Sequence, residues 1–196
     1  MGTVVYLTGA PATGKSTLTR GLEKCVTGLK VFCYSARLSD HVNSRVPDLG
    51  LTEESVRQQS ARVITKEDVD AVDGILIDWV KSNRSDSDLI IDSHPVTKEE
   101  FGFRVTPFSH AQLLELRPEV VVCLYADPAV LHQRISEHPQ GRPQLSPSEM
   151  TLHVTLQAAV AAQYAVLLGK ACLLVDSDMP RAELVSEVAK RVGWCT

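Results

Sequence analysis

The run Gly9-Ala10-Pro11-Ala12-Thr13-Gly14-Lys15-Ser16-Thr17 has the G-x-x-x-x-G-K-[ST] spacing of a phosphate-binding loop. Its glycines let backbone N–H groups turn inward around an anion, and a helix opening straight after them adds partial positive charge. Lys15 has the reach to touch β- and γ-phosphates, and the Ser16 hydroxyl suits Mg²⁺. ATP and Mg²⁺ are therefore the expected ligands. A second chemical group closes the run Leu89-Ile90-Ile91-Asp92, where a strand-end carboxylate in a Walker-B-like position supports the metal. Ser93 follows, where many hydrolytic P-loop ATPases place a water-activating glutamate, which argues against a motor. An Asn-Lys-x-Asp run for guanine is absent, as is a D-x-x-G after the third strand, which argues against a switch GTPase.

Transfer of a phosphoryl group needs cations over the migrating charge and exclusion of water. Arg134, one helical stretch after Asp127-Pro128, and Arg142, inside a Pro/Gly-rich interruption, are the candidates for a lid spanning roughly residues 137–148. Arg37, Arg45, Arg57, Arg62 and Arg104 flank the second and third strands, and an anionic acceptor would need one or two of them as bidentate ligands. A hydroxyl acceptor would instead need a carboxylate base near the end of the second strand, for which Asp40 is the convenient candidate. A nucleotide-binding module or slow ATPase coupled to a partner is the alternative of a different class.

The elements that must position these groups alternate between strand and helix. Thr3 to Leu7 is an apolar β-branched run ahead of the loop, and Thr17 to Val26 opens a helix. Lys30 to Ser35 is a second strand, followed by a loop or short helix through Pro47, Asp48 and Gly50. Thr52-Glu53-Glu54 resembles a helix start, and Thr65-Lys66-Glu67-Asp68 is a better one, a capping box ahead of helically spaced Val69, Val72, Ile75, Leu76 and Trp79. Asp88 to Asp92 is a third strand, with a long Pro-containing loop expected from His94 to Pro107. Val120 to Tyr125 is a fourth strand running into an Asp127-Pro128 cap. A long helix ends at Gly169, Ala171 to Val175 is a fifth strand, and Pro180 to Val192 a last helix. This predicts one α/β P-loop domain over residues 1–196, a five-stranded parallel sheet with helices on both faces, a short lid, and an acceptor region over roughly 36–66.

Composition narrows the class. At 196 residues the chain suits one domain with a continuous core. A net charge of -4 gives no general attraction to nucleic acid or anionic lipid. Five cysteines without zinc-ligand or C-x-x-C spacing read as reduced thiols in a cytoplasmic protein, and no apolar stretch approaches a membrane span. The partner expected is a small-molecule acceptor.

Several runs beyond the phosphate loop are similar to the archaeal-type adenylate kinases of the P-loop nucleoside-monophosphate kinase group. Ile91-Asp92-Ser93-His94-Pro95-Val96-Thr97-Lys98, with Gly102 after it, resembles that family's V-D-T-H-A-V-I-K and following glycine. Pro118, Ala126-Asp127-Pro128 with Arg134, His153, and Tyr164-Ala165-Val166-Leu167-Leu168-Gly169 against Y-A-V-L-T-G extend the likeness along most of the chain. The resemblance implies that Lys15, Ser16 and Thr17 bind ATP and Mg²⁺, that Arg134 and Arg142 serve the lid, and that Arg62 meets the acceptor phosphate. It groups His94 with the acceptor-binding residues, and it implies a homo-oligomer, since similar enzymes form trimers. The chain departs from the family at Gln157-Ala158, where an asparagine-arginine pair is usual, and at Phe103-Arg104, which add an aromatic and a charge. These departures leave open an acceptor other than AMP.

Overall fold

The structure, a computed structural model, describes residues 2–46, 63–139 and 144–194. Five strands form one parallel sheet: β1 (Val4–Gly9), β2 (Lys30–Cys33), β3 (Leu89–Asp92), β6 (Val120–Tyr125) and β7 (Ala171–Asp176). Their order is β2-β3-β1-β6-β7, so the chain leaves β1 towards one edge and later crosses back over it to build the other. That reversal leaves a crevice at the strands' carboxyl ends. The register aligns the chemistry there, pairing Asp92 of β3 with Leu7 of β1 and with Cys33 of β2, and Gly9 with Leu124 of β6.

Alternation along the strands builds two core layers. Val4 and Tyr6 face helices α3 (Lys66–Asn83), α4 (His110–Leu116) and α6 (Pro147–Leu168), meeting Leu76, Leu113, Ala161 and Tyr164. Val5 and Leu7 face α1 (Lys15–Cys25) and α7 (Arg181–Val192), meeting Leu18, Leu22, Leu184 and Val188. A smaller cluster of Ala10, Leu131, Ile135, Leu145 and Met150 joins α5 (Pro128–Glu137) to α6 beside the phosphate loop. Against the expectation that no apolar stretch approaches a membrane span, α6, alone among the described helices, is long and apolar enough to cross one by length and composition, and it packs on β1, β6 and β7 through Val160, Ala161, Tyr164 and Ala165.

The five strands and the caps at Thr65, Asp127 and Gly169 lie where the residue pattern placed them. Three segments differ. The second strand stops at Cys33, and Tyr34–Arg45 is a full helix, α2, rather than a loop or short helix. The expected loop from His94 to Pro107 contains an antiparallel hairpin, β4 (Val96–Glu99) with β5 (Gly102–Val105). Helix α4 opens on a Ser109/Gln112 capping box, an S-x-x-Q signal present in the sequence but not read as a helix start. The helix start expected at Thr52-Glu53-Glu54, and the stretch through Pro47, Asp48 and Gly50, lie outside the described residues.

Arg45 has a structural place at the junction of α2 and α3. Its Nε donates to Asp68 Oδ1 at 2.8 Å and its Nη2 to Asp68 Oδ2 at 2.9 Å, while Thr65 N donates to the same carboxylate at 2.9 Å. Burial pushes the Asp68 carboxyl up, but the hydrogen bonds from Arg45 and Thr65 outweigh it and hold the group below its ordinary value of 3.8. A carboxyl depressed by folding adds stability above that value and loses it as pH falls further. Arg45→Met leaves a buried carboxylate short of its cation; with Arg45 itself 41% exposed, the expected cost is about 2 kcal/mol, below the usual figure for breaking a fully buried pair. A denaturant midpoint that does not move at neutral pH would contradict this.

Candidate active site

The phosphate loop joins β1 to α1. Gly14 sits at the N-cap of α1 with φ 85°, and no side chain caps this helix, in contrast to α3, α4 and α6. Its first N–H groups thus face the crevice, where an anion would complete them. Thr13 Oγ1 donates to Ala10 O at 2.8 Å and closes the loop internally. Lys15 Nζ donates to the Gly9 carbonyl at 2.8 Å, and the buried Gln157 on α6 donates to the same oxygen through Nε2 at 3.2 Å. Gln157, met in the sequence only as a departure from a family pattern, therefore anchors the loop from behind. Ala158 packs among the apolar residues of the α6 face.

Asp92 ends β3 with only 7% of its surface exposed. Burial raises its carboxyl above the ordinary value, and the nearby Lys15 ammonium opposes the rise. Ser16 and Asp92 both line the cleft, offering a hydroxyl and a carboxylate, the hard oxygen donors that Mg²⁺ takes. Arg134 on α5 reaches over the loop from the other side: Nη1 donates to Ala12 O at 3.5 Å, and Nη2 to Ser177 O at 3.3 Å and Asp178 Oδ1 at 3.0 Å. It thus touches both the phosphate loop and the turn between β7 and α7, whose Ser177 and Met179 line the same cleft.

Beyond the loop, the cleft continues between α2, α3, α4 and the hairpin. Its volume of about 1090 Å³ exceeds the roughly 300–1,000 Å³ of a single drug-sized site. Tyr34 donates through its hydroxyl to Asp73 Oδ1 at 2.7 Å, and Gln112 Nε2 donates to Asp73 Oδ2 at 2.8 Å. Burial raises the Asp73 carboxyl more than these two hydrogen bonds lower it. Phe108 stands 6.1 Å from Tyr34 and 6.2 Å from Tyr164, ring centre to ring centre, and its N–H donates to the Tyr164 hydroxyl at 2.7 Å. An aromatic wall with a polar edge results, and its residues were not read as functional from the sequence. His153, also lining the cleft from α6, has its Nε2 3.2 Å from Val96 O; burial is the main force pushing it down to about 4, so at neutral pH the ring is uncharged and Nε2–H is the donor.

The remaining candidates separate. Gly9 to Thr17, Asp92 and Arg134 converge as described, while His94 and Arg104 line the same cleft. Arg104 is engaged there by the buried Glu99 at 2.7 Å. Arg37 and Asp40 are corrections: both are exposed and neither lines the cleft, because α2 turns Ser35, Leu38 and Ser39 inward and the intervening positions outward. Arg37 instead lies 5.8 Å over the Phe32 ring. Arg57, Arg62 and Arg142 lie outside the described residues, as does part of the expected lid.

A family model described as an AAA domain matches residues 8–151. No curated protein matches the chain in sequence. Among solved structures, an unliganded sugar kinase from Janibacter sp. HTCC2649 superposes over 100% of this chain and 96% of its own, with a TM-score of 0.57 and 15% identity. The tunicamycin resistance protein of Deinococcus radiodurans does so over 98% and 96%, with a TM-score of 0.57 and 14% identity. At these identities the likeness establishes a shared α/β fold.

Proposed function

This chain belongs to that AAA domain family, and from this premise we propose that it is an ATP-dependent phosphotransferase moving the γ-phosphoryl group to a nucleoside monophosphate, AMP or a related nucleotide. The supporting observation is one continuous cleft whose phosphate loop leads into a half walled by Tyr34, Phe108 and Tyr164 with Asp73 and Gln112 at its edge. Aromatic faces beside a hydrogen-bonding edge suit a nucleobase. The resemblance to archaeal-type adenylate kinases points the same way, while the sugar kinase among the structural neighbours supports phosphoryl transfer without favouring a monophosphate acceptor.

In this reading Lys15 exchanges the Gly9 carbonyl for phosphate oxygens while Gln157 keeps the loop in shape. The uncapped first turn of α1 holds the phosphates, and Arg134 steadies the donor from the side of Ala12. Mg²⁺ held through Ser16 and Asp92 would neutralise charge on the transferring group. Arg142 and Arg62 are assigned the lid and the acceptor phosphate by resemblance. A phosphate acceptor is already nucleophilic, so positioning and electrostatics carry the reaction. A hydroxyl acceptor, nucleoside or sugar-like, is the second reading, favoured by the engagement of Arg104 with Glu99, which leaves that guanidinium paired. In that case Asp92, beside Lys15, is the carboxylate placed to take the proton.

The test is a panel of nucleoside monophosphates, nucleosides and sugars with ATP and Mg²⁺. Conversion of one monophosphate to its diphosphate is expected; transfer only to a hydroxyl would establish the second reading, and phosphate release without any acceptor would overturn both in favour of an ATPase. For the accepted substrate, Asp73→Ala is expected to raise the acceptor KM about tenfold, the worth of a buried polar edge, with the ATP KM unchanged. Equal shifts in both constants would show that Asp73 only supports the fold.

A further inference from the structure

The two margins of the sheet are unlike. Strand β2 is four residues long and begins at Lys30, whose ammonium donates to Asn83 at 2.7 Å, so this edge is short and guarded by a charge. Strand β7 is six residues long, reads Ala171-Cys172-Leu173-Leu174-Val175-Asp176, and carries no charge before its last residue. Its inner side pairs with β6 along its whole length, and no described strand pairs with its outer side. Leu174 is 54% exposed there. The helix leading into β7, α6, packs on it and exposes Val166 at 79% and Leu167 at 43%, with no charged residue between Glu149 and Lys170.

A shallow groove of about 300 Å³ follows the same edge, lined by Cys172 to Asp176 and closed on the α7 side by Glu187 and Arg191. These two carry opposite charges one helical turn apart and pair with each other, Arg191 Nε to Glu187 Oε1 at 2.6 Å. Opposite charges bordering an unpaired strand are self-complementary under a two-fold rotation, where each glutamate meets the arginine of the other copy. Unused backbone donors and acceptors on an uncharged edge are completed by another strand.

The geometry points to the outer edge of β7 as a contact with a second copy of this chain, the two β7 strands pairing antiparallel about a two-fold axis to give one ten-stranded sheet. The occupant is a second copy because the groove's charges match themselves, and because the α6 end beside the edge is apolar rather than shaped for a charged peptide. The groove shares Met179 with the cleft, but the proposal is argued from the strand edge and the charges on α7, so it stands independently of the acceptor reading.

Light scattering on the purified chain is expected to give twice the monomer mass at micromolar concentration. Leu174→Lys, at an exposed position that tolerates charge in the folded monomer, is expected to weaken association at least tenfold. Glu187→Arg is expected to do the same, and the double exchange Glu187→Arg with Arg191→Glu to restore it, which a merely structural role on α7 would not produce. Hydrogen exchange in residues 171–176 is expected to slow as concentration rises. A wild-type monomer or a trimer overturns the proposal, as does a dimer indifferent to Leu174→Lys or exchange in β7 that does not change with concentration.

Discussion

Lys15→Ala is expected to lower kcat for phosphoryl transfer by about 10²–10³-fold, the usual worth of a single positioned donor acting on developing phosphate charge. The protein should still fold. In the resting loop the ammonium donates to Gly9 O, but Gln157 donates to that oxygen as well, so the carbonyl keeps a partner and the stability change stays within about 1 kcal/mol. Lys15→Arg is not expected to rescue, since a planar guanidinium does not act as the compact point charge this loop encloses. Steady-state transfer beside a thermal melt decides it. A variant with an unchanged melt and turnover within about tenfold of the parent would remove Lys15 from the chemistry.

Gly9→Ala is expected to damage both stability and nucleotide binding. Gly9 has φ 151°, and a Cβ there would stand 2.6 Å from Leu124 O and 2.9 Å from Thr13 Oγ1. The first contact is backbone of β6, held in register with β1, and cannot yield cheaply. The second is the hydroxyl that closes the loop on Ala10 O. Strain and overpacking together suggest a loss of about 2–4 kcal/mol, with ATP affinity falling because Thr13 must move. By contrast, nothing lies within 4 Å of a Cβ added at Gly14, where φ 85° alone opposes a side chain. Gly14→Ala should therefore cost about 1–2 kcal/mol, less than Gly9→Ala. Denaturation curves for the two variants would reverse the argument if Gly14→Ala proved the more harmful.

The phosphate loop was legible because its signal is local. Nine consecutive residues specify the loop, and strand and helix flank it by their own periodicity, so no distant contact has to be known. Asp92 was legible for a related reason, since parallel register carries the end of β3 to the end of β1. The aromatic wall was not. Tyr34, Asp73, Phe108 and Gln112 lie on α2, on α3, between β5 and α4, and on α4, and only the packing of those elements brings them together. Arg37 and Asp40 were misplaced by the neighbouring misreading of α2: with the stretch read as a loop or short helix beyond a strand running to Ser35, their side chains had no fixed direction, whereas the full helix from Tyr34 fixes them outward. The β4–β5 hairpin was missed because Thr97, Lys98, Glu99 and Arg104 are polar residues whose partners are each other and the cleft, which leaves no apolar alternation to read.

Helix α6 touches both halves of the cleft. His153 meets the hairpin through Val96 O, Gln157 holds the phosphate loop through Gly9 O, and Tyr164 receives the Phe108 N–H at the aromatic wall. These three side chains are spaced four and then seven residues apart on one buried face, a span of about 16 Å along the axis. The helix therefore acts as a ruler, its rise per residue fixing how far the phosphate loop stands from the aromatic wall. One residue inserted between Gln157 and Tyr164 would turn Tyr164 by about 100° relative to Gln157 and take its hydroxyl away from the Phe108 N–H. The length of α6 between these positions thus sets the distance from the phosphate loop to the aromatic wall, whichever residues α2, α3 and the hairpin place around it.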